Sequence, residues 1–84
     1  MKVFYITFRS VTYAQRGERV LAREGIRCNL QRTPRWMESQ GCGYALRVWE
    51  KEVETAVRLL QQNQVALRRV YVQRAGGELE EMPV

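Results

Sequence analysis

Residues 36–46 read WMESQGCGYAL, and Cys42 is the side chain in that stretch best suited to chemistry. A cysteine kept for packing sits among apolar residues, whereas glycines on both sides give a backbone open to close approach, with nothing to shield the sulfur. Gly41 and Gly43 therefore present Cys42 to a partner. The reactive form of cysteine is the thiolate, and nearby cations lower its ordinary pKa of about 8.5. Arg32 and Arg35 precede Cys42 and Arg47 follows it. Their guanidiniums would stabilise a thiolate, or a persulfide or selenide-type anion on the same sulfur, with Glu38 as the counterweight.

The chain holds no His and no Asp. A hydrolase-type Cys-His pair is therefore excluded unless a partner supplies the base. A single activated sulfur without acid-base machinery suits carrying a group better than turning over a substrate, and more a carrier than an enzyme is expected. Cys28 and Cys42 match no zinc or redox spacing, so neither a metal nor a cofactor is expected. The alternative for Cys42 is an inert loop cysteine.

Eighty-four residues suffice for one small domain, and 45% hydrophobic with 27% charged residues is the composition of an ordinary globular one. The cations are twelve Arg and two Lys, and the nine acids are all Glu. Three of those acids, Glu78, Glu80 and Glu81, fall after Gly77, so the chain up to Arg74 carries +8. That balance favours an anionic partner, although arginines scattered from Arg9 to Arg74 also suit solvated faces. The apolar run VFYITF is too short for a signal segment or a membrane span, which points to a cytoplasmic protein with reduced thiols.

The elements that must position Cys42 follow from periodicity. KVFYITF is a β-branched and aromatic run suited to a buried strand. Ser10 is a fitting N-cap for a helix whose apolar side is Val11, Ala14, Gly17, Val20 and Leu21, with Arg16, Arg19 and Arg23 on other faces; Gly25 ends it. IRCNLQRT alternates Ile26, Cys28 and Leu30 against Arg27, Asn29 and Gln31, which makes Cys28 a core residue of a second strand that Pro34 terminates. YALRVW is a third strand. EKEVETAVRLLQQNQ is a second helix with Glu50, Glu52 and Glu54 at its positive end, and VALRRVYVQ a fourth strand. Residues 75–84, with a Gly-Gly breaker, charge and Pro83, read as a flexible tail to a single domain over residues 1–74.

The order β-α-β-β-α-β predicts an α+β fold of the ferredoxin-like, split βαβ kind: a four-stranded antiparallel sheet, strands one and three side by side in the centre, and both helices on one face. The loop between strands two and three then lies at one end of the sheet and carries Cys42.

The succession FYITFRSVTYAQRGERVLAREGI, RTPR, GCGYALRV and an acid-started helix leading to VYV resembles the small selenium/sulfur carrier-like family, over about residues 3 to 72. The most specific pieces are Pro34-Arg35 and Cys42-Gly43 followed by a basic strand. The resemblance implies a carrier in which Cys42 accepts a persulfide or selenium species, Gly43 is its backbone partner, and donor and acceptor proteins are the partners. Trp36, Met37 and Gln40 depart from the small polar residues that lead into the Cys-Gly pair in that family.

Two other classes share the element order. An RNA-recognition-like domain stacks bases on aromatics of its central strands. GYALRVW starts as that pattern does, but Leu46 occupies the next stacking position, and the alternation of Tyr44, Leu46 and Val48 suits a core, so nucleic acid is disfavoured as a partner. A regulatory module would pair into a homodimer through Tyr5, Trp49 or Tyr71 on the sheet.

Overall fold

The computed structural model describes residues 2–33 and 43–82. The elements run β1 (Val3–Phe8), α1 (Val11–Arg23), β2 (Asn29–Arg32), β3 (Tyr44–Trp49), α2 (Glu50–Gln62), β4 (Leu67–Gln73) and β5 (Leu79–Met82). One antiparallel sheet holds all five strands in the order β2-β3-β1-β4-β5. The expected adjacency of β1 and β3 is present; the expected count of four strands is corrected to five.

The fifth strand comes from the segment where composition predicts a flexible tail. Arg74 N–H donates to the Glu78 carbonyl and Gly77 N–H to the Arg74 carbonyl, both at 2.8 Å, so the glycines make a turn that sends the chain back along β4. Glu80 then meets Arg74 at 2.7 Å and Glu81 meets Arg69 at 3.5 Å. Acids that composition counts as solvated are cross-strand partners of the arginines beside them.

Register assigns the two faces of the sheet. Ile6 lies opposite Leu46 on one side and Val70 on the other, and these three join Phe8 and Val48 in the core beneath both helices. Tyr5 lies opposite Arg47 and Tyr71 on the other face, with its hydroxyl donating to Gln73 Oε1 at 3.3 Å. The Thr7 hydroxyl accepts from Arg69 N–H at 3.1 Å and donates to the Arg69 carbonyl at 3.3 Å, stitching the point where β1 and β4 slip register between Thr7 and Phe8.

The first helix has the predicted ends. Ser10 is extended and its hydroxyl accepts from Tyr13 N–H at 3.3 Å. At the other end Ile26 N–H returns to the Leu21 carbonyl at 2.9 Å and Gly25 N–H to Ala22 at 3.1 Å, the Schellman arrangement. That hook ties Ile26 to the helix, and pairing of β2 with β3 begins only at Asn29. The second strand is thus shorter than its alternation predicts. Val11 also departs from the predicted apolar side, being 38% exposed on the first helical turn.

Gly17 is where α1 approaches the rest of the core. A methyl group there would lie 3.1 Å from Leu60 Cδ2, 3.1 Å from Phe8 Cζ and 3.2 Å from Leu46 Cδ1. All three neighbours are fully buried, so none has space to withdraw. Alpha-2 ends with the same hook as α1, Val65 N–H to the Leu60 carbonyl at 2.9 Å, but its left-handed residue is Gln64 at φ 60°.

These two positions have opposite expected responses. Gly17→Ala adds helix propensity of about 1 kcal/mol but overpacks the core by about 1–3 kcal/mol, so urea unfolding should show a net loss. Gln64→Gly should raise stability by about 1 kcal/mol by removing left-handed strain.

Candidate functional site

The β2–β3 hairpin sets the base of the loop that carries Cys42. Its last ladder pair is Arg32 opposite Tyr44, and the next rung is a hydrogen bond of 2.9 Å from Thr33 N–H to the Gly43 carbonyl. Gly43 is buried and has φ +80°, a conformation that a side chain at this position would oppose. The residue that follows Cys42 in the chain is therefore fixed to the end of the sheet, through a backbone geometry that favours glycine. Arg32 is exposed and its guanidinium carbon lies 5.4 Å from the centre of the Tyr44 ring. That stacking holds a cation at the mouth of the loop. Of the residues singled out from sequence, Arg32 and Gly43 are thus brought together at the hairpin end, whereas Arg35, Gly41 and Cys42 lie outside the described residues.

The second thiol has the opposite setting. Cys28 is half-buried and packs against the core, as its alternation predicts. Burial, followed by the carboxylates of Glu18 and Glu52, pushes its pKa up to about 11. Neutral Cys28 is consequently a thiol, poor both as a nucleophile and as a metal ligand. Among the described residues there is no cluster of three or more His, Cys, Asp or Glu side chains able to hold a metal, and no helix long and apolar enough to cross a membrane.

A groove of about 830 Å³ opens at the other end of the same hairpin. Beta-2 pairs with β3 only as far as Asn29 opposite Arg47, so Val48 and Trp49 have no β2 neighbour, and the chain from Gly25 to Cys28 bows toward the end of α1. Arg19, Arg27 and Arg47 line the gap together with Glu18. The Arg47 guanidinium carbon sits 5.0 Å from the Trp49 ring centre, and Trp49 is 37% exposed. Sequence reasoning did not gather these residues. The available signal was Arg47-x-Trp49 on a strand, a spacing that puts both side chains on one face.

The β3 residues Tyr44, Leu46 and Val48 lie on the helix-covered face of the sheet. Leu46 and Val48 are buried under the helices and Tyr44 packs against the same core, in agreement with their alternation.

Residues 3–72 match the family model described as "Putative Se/S carrier protein-like". No curated protein and no solved structure matches the chain.

The setting of Cys28 fixes an expected pH response. Maleimide or iodoacetamide modification of Cys28, followed by peptide mapping, should be slow near neutral pH and accelerate as the pH approaches about 11. The unfolded chain releases this proton near about 8.5 while the folded chain retains it. The stabilising contribution of the group is therefore complete below that pH and is lost as pH rises through about 11. Rapid labelling of Cys28 at neutral pH in the folded protein would contradict the assignment.

Proposed function

The chain belongs to the selenium/sulfur carrier-like family, and on that premise we propose that it carries a sulfane sulfur or selenium atom on Cys42 between a donor and an acceptor protein. The observation that carries the proposal is the family match over residues 3–72, which includes Pro34-Arg35 and Cys42-Gly43. The anchoring of Gly43 and the cation of Arg32 at the loop mouth support it. So does the strand order β2-β3-β1-β4, which fits a ferredoxin-like split βαβ domain with β5 as an added edge strand.

In this mechanism the Cys42 thiolate attacks the outer sulfur of a donor persulfide. A bond forms between Cys42 Sγ and that sulfur as the donor's S–S bond breaks, and the donor sulfur leaves with the electron pair and takes up a proton. Nothing is oxidised overall, since one persulfide replaces another. Release is the same exchange, with an acceptor thiolate attacking the outer atom. Arg32 and Arg35 stabilise the anion, Gly41 and Gly43 let the partner's site reach it, and the partners supply the base that a chain without His lacks. A cytoplasmic setting keeps Cys42 reduced between cycles.

Whole-protein mass spectrometry after a short pulse of a persulfide donor, with peptide mapping, is the direct test. Retained sulfur on Cys42, abolished in Cys42→Ser with the thermal transition unchanged, is the expected result. Retention on Cys28, or on neither thiol, would remove the carrier reading.

A further inference from the structure

The groove at the open end of the β2–β3 hairpin joins a row of cations on α1. Arg16, Arg19 and Arg23 are exposed at spacings of three and four residues, which puts them along one helix stripe about 10 Å long. They also line a shallow depression of about 490 Å³ with Asn63. Arg19 belongs to both cavities, so the stripe and the groove form one surface. Among the described residues none of Arg16, Arg19, Arg23, Arg27 or Arg47 has an ion pair with an acid. The groove itself holds three guanidiniums against the single carboxylate of Glu18.

Charge alone would suit any polyanion; the aromatic component narrows the choice. Trp49 is a large aromatic exposed at the groove, already flanked by a guanidinium, and an indole ring beside a cation offers a stacking surface for a planar base. The groove volume lies in the range that holds a small-molecule-sized group such as one nucleotide. An acidic peptide would use the arginines and leave Trp49 without a partner. We propose that this surface binds single-stranded nucleic acid, with one base stacked on Trp49 and successive phosphates meeting Arg27, Arg19 and the Arg16–Arg23 stripe. Arg47 and Trp49 lie on the helix-free face of β3, and the site runs from there around the open sheet edge to α1; it uses neither thiol, so its test stands apart from the carrier reading.

Fluorescence anisotropy of the full chain with a labelled single-stranded RNA of about eight nucleotides tests the proposal. Binding should weaken with salt between about 50 and about 200 mM with a log-log slope of about −2 to −3.5, as three to five phosphate contacts require. The double substitution Arg19→Glu with Arg23→Glu should flatten that slope by about 1.4. Trp49→Ala should weaken binding about ten-fold and Trp49→Phe should retain most of it. Thermal melts separate these effects from unfolding; if Trp49→Ala fails to fold, Trp49→Phe and the arginine variant decide. The proposal is overturned if the RNA does not bind at low salt, if Trp49→Ala binds as the parent does, or if polyglutamate of equal length competes as well as unlabelled RNA.

Discussion

The absence of a side chain at Gly17 determines how closely α1 can lie on the sheet. Leu60 of α2, Leu46 of β3 and Phe8 of β1 converge on the helix backbone at that point, each fully buried. Burying side chains of this size contributes about 1.5–3 kcal/mol apiece, a large part of what a domain of this length has available. Because Leu46 sits mid-strand in β3, the same contact fixes the strand that both pairs with β1 and supports the hairpin. Both ends of the hairpin therefore inherit their position from a helix glycine.

The two ends of that hairpin are built differently. At one end the ladder continues past Arg32 and Tyr44 into the Thr33–Gly43 hydrogen bond, so the chain on both sides of the Cys42 loop is tied to the sheet. At the other end the Schellman hook of α1 draws Ile26 away before pairing with β3 can begin. The helix cap thus opens the groove. A strand alternation continuing without that cap would have carried pairing to Val48 and Trp49 and closed it.

Much of this was legible in the sequence because it rests on local chemistry. Ser10 and Gly25 mark α1, and Leu46 and Val48 alternate into the core as their spacing dictates. Gln64 shows where local signals stop, since a left-handed residue that is not glycine ends α2 through the same hydrogen bonds that a glycine would permit. Beta-5 was hidden for another reason: its partners, Arg69 and Arg74, are close in space only after β4 has formed, and a Gly-Gly pair followed by acids is equally the composition of a solvated tail. The groove was hidden likewise, because Arg19, Arg27 and Trp49 meet only through tertiary packing.

The two ends of the hairpin also differ in electrostatics. Cys28 enters it beside two carboxylates and within the core's edge, conditions that keep its proton in place. The chain leaves the other end beside Arg32, a cation held by an aromatic ring and paired with no acid among the described residues. Acids on α1 and α2 thus gather around the thiol that packs, and arginine stands at the mouth of the loop that carries the other. A thiolate gains from nearby positive charge and is opposed by burial and by neighbouring carboxylates, and the opposing conditions are the ones that Cys28 meets.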